Sequence, residues 1–403
     1  MNAEGKSPAA LEGIRVLDLG TFIAGPFCAT ILGEFGAEVI KVEAPGAGDS
    51  MRRLGTDTEC GDTLMWLSEG RNKQCITVDM RQEAGRALAR RLAQLCDVVV
   101  ENFRPGTLEK WGMGYDVLKR DNPGVVLVRI SAYGQDGPMR SQPGFARVAH
   151  AFSGLAYLAG EPGRVPVVPG STSLADYLSG LYGAIGALVA LRARERTGEG
   201  QVVDLALYES VFRVLDEIVP AYQKLGHVRE RMGADIGYVC PHSHYETADA
   251  KWIALACSND EMFGRLASAM DMPGLSSEAM YGRKDKRLLA RAEVNRLVAA
   301  WVKGFTARDV LARCARADVP AGLINSIADI FEDPQYKARG NIASHPSRIG
   351  ELAVPDVVPR LSATPGAIRW LGPALGEHTR EVLRRVLGMD DREVDALRER
   401  KVV

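Results

Sequence analysis

The chain has 403 residues, 46% of them hydrophobic, and a formal net charge of −1 at pH 7. It is long enough for two domains, or for one large domain with an insert, and apolar enough for a real core. A balance so close to neutral excludes a general electrostatic pull toward nucleic acid or an anionic membrane surface.

From the N-terminus, "MNAEGKSPAALEG" lacks the apolar core of a signal peptide. "IRVLDLG" (14–20) is a short β-rich run, "GPFCATILGEFGA" (25–37) is helical, and "EVIKVEAP" (38–45) is a second strand. Such a β-α-β unit argues for a parallel sheet. "QCITVDM" (74–80), "EAGRALARRLAQLC" (83–96) and "DVVVENF" (97–103) repeat the alternation, and "VVLVRISAYG" (125–134) adds another apolar strand. A long helix runs from about 173 to 194, and the stretch 201–226 passes from strand to helix. No uninterrupted apolar stretch reaches the roughly 18 residues of a membrane span. The basic run "LRARERTGEG" (191–200) reads as the solvated end of the long helix.

Near residue 227 the character changes. "CPHSHYETADAKWIALAC" (240–257) reads as two antiparallel strands around the turn "ADAK", followed by helical segments at 260–270, 287–303 and 307–317. Beyond "VPAGLINSIADIFEDPQY" the chain reads as loop-rich, with prolines at 346, 355, 359, 365 and 373, before a last amphipathic helix, "EHTREVLRRVLG" (377–388). The expected organisation is a large parallel α/β domain over 1–226, a small α+β domain over 227–330, and a return segment over 331–403 that completes the large domain. The seven cysteines, scattered and without a CxxC pair, point to reduced thiols and a cytoplasmic setting.

The sharpest question lies in "STSLADYLSGLYGAIGAL" (171–188), where a carboxylate, Asp176, opens a small and apolar helix. Ser171, Thr172 and Ser173 can cap it, and Leu174, Leu178, Leu181, Ile185 and Leu188 recur at helical spacing. Asp176, Gly180, Gly183, Ala187 and Ala190 line one stripe, so another backbone or a ligand must approach that face closely. An acidic residue in a first helical turn also simply complements the dipole, and the segment alone leaves both readings open.

Other signals are weaker. Gly20, Gly25 and Glu43 suggest a dinucleotide turn, but the loop "GTFIAGP" lacks the G-x-G-x-x-G spacing. Cys240, His242 and His244 share one side of an extended strand, yet Pro241 interrupts it and no fourth ligand is near, so no metal is expected. No serine-nucleophile elbow or P-loop is present. "EGRNKQ" (69–74) precedes a strand and "VENFRPG" (100–106) follows one; the first could meet phosphate and the second could wrap a ligand.

Together these pieces resemble the family III CoA-transferases, which include formyl-CoA transferase, carnitine CoA-transferase and the α-methylacyl-CoA racemases. The resemblance runs from about Leu11 to the C-terminus. It rests on "LEGIRVLDLGTFIAGPFCATILGEFGAEVIKVEAPGAGD", "RNK" with "ITVDM", "VVVENFRPGTLEKWGMGYDVLKRDNPGVVLVRISAYGQDGP", "LADYLSGLYGAIGALVALRARERTGEGQVVDLALYES" and "LGEHTREVLRRVLG". It implies a Rossmann-like large domain with a small α+β domain, in an interlocked, ring-shaped homodimer. It also implies that Asp176 is the nucleophile, kept ionised by its helix N-terminus, and that coenzyme A enters as a substrate thioester with no tightly bound cofactor.

By the same resemblance Asn102, Phe103 and Lys110 contact CoA, with Arg71, Asn72 and Lys73 in the matching basic loop as phosphate partners. Ile23 stands where formyl-CoA transferases carry a glutamine, and their glycine-rich loop is not found around 230–245, so a formate–oxalate pair is not expected. Phe145 stands where the racemases place a histidine, and phenylalanine cannot exchange a proton. A racemase and a catalytically silent CoA-binding protein are therefore the weaker alternatives to a transferase. The expected acceptor is a small dicarboxylate of the succinate, glutarate, mesaconate or itaconate type. Its distal carboxylate would need a cation in an apolar pocket, from Arg52, Arg53, Arg147, His150, His242 or His244.

Overall fold

The computed structural model describes residues 8–403; the first seven residues and the Ser171 side chain lie outside the described part. The chain divides into two compact units. One comprises residues up to 155 with Gly170–Asp216 and Lys337–Val403, and the other Ala156–Pro169 with Glu217–Tyr336. The boundaries drawn from sequence at 226 and 330 thus shift to 216 and 336, and the short stretch 156–169 leaves the large unit for the small one. The first shift has a local cause: the helical run expected through 226 breaks at Asp216, whose φ is 51°.

The first unit is built on six parallel strands: β1 (Arg15–Asp18), β2 (Glu38–Glu43), β3 (Lys73–Thr77), β4 (Val98–Glu101), β5 (Val126–Ser131) and β6 (Val202–Ala206). Their order is β3-β2-β1-β4-β5-β6, and every neighbouring pair runs parallel. The central strands are apolar at successive positions because both faces are covered. Val16, Val98, Val100, Val126 and Val128 point into one core, while Leu17, Val99 and Leu127 point into the other.

The first of these cores takes α1 (Ala24–Glu34), and the second takes Leu88 and Leu92 of α2 (Glu83–Ala93). Beyond β5, α3 (Ala146–Phe152), α4 (Leu174–Thr197) and α5 (Leu207–Phe212) return to the face of α1. The small stripe of α4 is what makes this possible. A Cβ on Gly180 would lie 2.9 Å from the Ala24 carbonyl oxygen, and one on Gly183 3.2 Å from Cys28 Sγ. The approaching backbone is therefore α1. By length and composition α4 would also suit a bilayer, but its small face is buried in this core. Its large apolar residues Leu181, Ile185, Leu188 and Val189 are the exposed ones.

The second unit holds β7 (His242–Glu246), β8 (Trp252–Ala256) and β9 (Ala321–Leu323) in one antiparallel sheet. The first two pair around the expected turn. Helices α6 (Asp260–Ala269), α7 (Arg291–Lys303) and α8 (Ala307–Arg316) supply Phe263, Leu266, Val298 and Val310 to its core. The return segment, read as loop-rich, contains a hairpin: β10 (Ile342–Ser347) pairs with β11 (Gly350–Pro355). Pro346 and Pro355 are tolerated because this two-stranded ribbon consists of edge strands. Its last helices, α9 (Thr379–Leu387) and α10 (Asp391–Glu399), place Val382, Leu383 and Val394 in the same core as Leu88 and Leu92.

Candidate active site

In a sheet of this order, the chain leaves β1 and β4 in opposite directions, and a crevice opens beyond their carboxyl ends. A cleft of about 200 Å3 lies there. The loop after β1 supplies Thr21, Phe22 and Ile23, the loop after β4 supplies Asn102–Pro105, and the end of β5 supplies Ile130, Ser131 and Ala132. Arg140, Gln142 and Phe145 line it from the following loop, with Asp176 from the first turn of α4 and Leu207 from α5.

The β1 loop is held in place by buried charge. Phe22 has a φ of 60°, a conformation that costs energy in a bulky residue and needs support. Its N–H donates to Asp49 Oδ1 at 2.9 Å. Lys41 neutralises Asp49 at 2.8 Å and lies 3.5 Å from Asp18, and Lys73 pairs with Asp18 at 2.8 Å. The Lys41 ammonium also donates to the Gly20 carbonyl. On the cleft side Asn102 clamps the same loop, accepting from the Thr21 N–H and donating to the Thr21 carbonyl, both at 2.8 Å. A buried carboxylate, Glu101, takes the Phe103 N–H at 2.7 Å.

Asp176 is half-buried at the start of α4. Its backbone N–H donates to the Ser173 carbonyl at 2.9 Å. Ser173, at the N-cap position, forms no side-chain cap hydrogen bond. His150 does that work: its Nε2 accepts from the Ala175 N–H at 3.0 Å. Burial, followed by the charge of Arg147, holds His150 below the usual histidine range, which keeps Nε2 free to accept. The carboxyl of Asp176 is pushed up to about 6 by burial, the opposite of the lowering expected from a helix N-terminus.

Of the residues singled out in the sequence, the cleft gathers Asp176, Ile23, Asn102, Phe103 and Phe145. Phe145 meets Phe22 edge-on at 5.7 Å, and Phe103 meets Trp111 at 4.9 Å. The basic loop "RNK" faces inward instead. Arg71 donates to the carbonyls of Ser68 and Pro355, both at 2.7 Å, and pairs with Glu34. Asn72 accepts from the Arg369 N–H and donates to the Ala367 carbonyl, and Lys73 is held by Asp18 and the Pro26 carbonyl. These three seat the return segment and α1 and leave no charge free for a phosphate.

Arg52 is likewise engaged. It forks onto Glu43 at 2.6 and 2.7 Å, reaches Asp62 at 2.9 Å and stacks over Trp66. His150 is spent on the helix cap. Arg53, Arg147 and Lys110 are exposed and outside the cleft lining. His242 and His244 lie on β7 of the second unit. Among the described residues no group of three or more His, Cys, Asp or Glu side chains could hold a metal ion. Arg104 belongs to "VENFRPG", the stretch expected to wrap a ligand, whereas Arg140 and Gln142 carried no signal in the sequence beyond their place in the loop past a strand end.

A profile of CoA-transferase family III matches residues 11–379. The chain is 52% identical to the succinyl-CoA–L-malate CoA-transferase alpha subunit of Chloroflexus aurantiacus, over 99% of this chain and 94% of that protein. It is 43% identical to the succinyl-CoA–D-citramalate CoA-transferase of the same species, over 99% of each. Among solved structures, a CaiB/BaiF family protein from Brucella suis superposes with a TM-score of 0.82 at 34% identity, covering 93% of this chain and 99% of that one.

Proposed function

Because the chain belongs to CoA-transferase family III and is a CoA-transferase, we propose that it moves CoA from succinyl-CoA to a small dicarboxylic acid through Asp176. The observation that carries this reading is the setting of Asp176: a carboxylate beyond the strand ends of the switch point, half-buried, with no cation paired to it among the described residues. A carboxylate whose pKa lies near 6 is mostly ionised at neutral pH and more nucleophilic than an ordinary one.

Asp176 attacks the thioester carbonyl, the C–S bond breaks, and CoA leaves as its thiolate. The product on the protein is a mixed anhydride. The thiolate returns to the aspartyl carbonyl, releasing the donor acid and leaving an aspartyl-CoA thioester. The acceptor carboxylate then attacks that thioester and expels the thiolate, which takes the acceptor acyl group and frees Asp176. No step moves a proton, so Phe145 in the cleft wall is no handicap, and it speaks for transfer over α-epimerisation. Each tetrahedral oxyanion needs hydrogen-bond donors. At the start of α4 the Ala175 and Asp176 N–H groups are already taken by His150 and the Ser173 carbonyl, so the donors we assign are the Ala24 and Gly25 N–H groups at the start of α1, which have no intrahelical acceptor by position.

Asn102, Phe103 and Lys110 remain for CoA once Arg71, Asn72 and Lys73 are set aside. The exposed apolar face of α4 supports a second proposal, that another copy of the chain covers it, as in the homodimer the resemblance implies. The central experiment incubates the protein with succinyl-CoA, traps with hydroxylamine and maps the adduct by mass spectrometry. The hydroxamate is expected on the peptide carrying Asp176. Transferase activity retained by Asp176→Ala would overturn the mechanism.

A further inference from the structure

A dicarboxylate acceptor brings two charges into the cleft, and only one of them reacts. The other would face Phe22, Ile23 and Phe145, and an unpaired carboxylate against such walls is costly. Among the described residues lining the cleft, Arg104 and Arg140 are the two that carry a positive charge. The cations packed behind it are spent: Lys41 and Lys73 on Asp18 and Asp49, and Arg52 on Glu43 and Asp62. Arg104 and Arg140 are different. Both are exposed, and neither guanidinium has an acidic partner or a side-chain hydrogen bond among the described residues.

The two stand on different walls. Arg104 directly follows Asn102 and Phe103 on the β4 loop, the stretch assigned to CoA. Arg140 lies on the loop beyond β5, on the segment that continues through Gln142 to Phe145 and into α3. Resting on the dicarboxylate reading above, we propose that Arg140 is the specificity residue, its guanidinium binding the non-reacting carboxylate of the acid while the other carboxylate reaches Asp176. Gln142, a cleft residue two positions on, adds a neutral donor on the same wall. A planar guanidinium suits this task because it can grip a carboxylate with two parallel N–H donors. Succinyl groups entering as succinyl-CoA carry the same free carboxylate, so one arginine serves donor and acceptor in turn.

The test compares wild type, Arg140→Gln, Arg140→Lys and Arg104→Gln, with L-malate, glutarate and butyrate as acceptors and with CoA titrated directly. Because Arg140 is exposed, its substitution leaves the fold intact, which a melting curve verifies. Arg140→Gln should raise the KM for both diacids by about 10- to 100-fold, the loss of a charge-assisted contact, and erase their advantage over butyrate. CoA affinity should stay within about twofold, and Arg140→Lys should recover part of the loss. The assignment is overturned if Arg140→Gln weakens CoA binding, if it raises the KM for butyrate as much as the KM for the diacids, or if Arg104→Gln alone gives the selective defect. If wild type itself transfers no CoA to either diacid, the dicarboxylate reading fails first; if it does and Arg140→Gln matches it, only this inference fails.

Discussion

Replacing Asp176 with asparagine should make the protein more stable, and only above acidic pH. The carboxyl is raised from an ordinary 3.8 to about 6 by burial. The folded state therefore holds the proton more tightly than the unfolded chain does, and stability falls as pH rises from about 4 to about 6. A displacement of roughly two units, at about 1.4 kcal/mol each, amounts to about 3 kcal/mol at neutral pH. Asparagine has nearly the same shape and never ionises, so Asp176→Asn avoids this cost. For a unit of this size the gain corresponds to a rise in Tm of roughly 5 °C. Melting curves of both proteins at pH 7.5 and pH 4 check it: the difference should be full at the first and shrink toward zero at the second. Equal melting temperatures at pH 7.5, or a gap that persists unchanged at pH 4, would refute the burial argument. The same variant should lack transferase activity, because the group that destabilises the fold is the one that attacks.

The same carboxyl sets the expected pH profile: kcat/KM for the acyl-CoA should rise through about pH 6 and level off above it, and a midpoint near 4 would contradict the desolvated cleft. Gly180→Ala puts a methyl group 2.9 Å from the Ala24 carbonyl and from Phe27, so α4 must move off α1. Denaturant titration should show a loss of roughly 1–3 kcal/mol, with a fall in kcat because Asp176 sits one turn away. Asp49→Ala strips the acceptor from the Phe22 N–H and leaves Lys41 buried without its nearer carboxylate, a loss of roughly 3–5 kcal/mol in the same titration. Asp49→Asn, which keeps the acceptor, should hold the β1 loop and retain more activity than its stability deficit alone would allow to the alanine variant.

The parallel sheet was legible because strands buried on both faces run apolar at successive positions, as Val98–Val100 and Val125–Val128 do. The close-packed stripe of α4 was legible too, since Gly180 and Gly183 have no other use at that spacing. The hairpin at 342–355 was not, because its prolines hide an edge ribbon that needs no continuous ladder. The charged residues divide by the same physics. A sequence displays a cation but not its partner: Lys73 meets Asp18 and Arg71 meets Glu34 only after the sheet has brought distant segments together.

Position in the topology separates the two kinds better than local basicity does. Lys41 and Lys73 lie on strands of the sheet, and Arg71 just before one, where a buried charge survives only if the fold supplies its counter-charge. Arg104 and Arg140 lie past the carboxyl ends of β4 and β5, where water can solvate them until an anion arrives. "EGRNKQ" is the more basic motif, yet it precedes its strand, and its charges were consumed in closing the fold. "ENFRPG" and "GPMRSQPG" each carry a single arginine after a strand, on the side where a parallel sheet leaves its crevice open. A free cation on that rim costs the folded chain little, and it is the kind of charge a substrate carboxylate can claim.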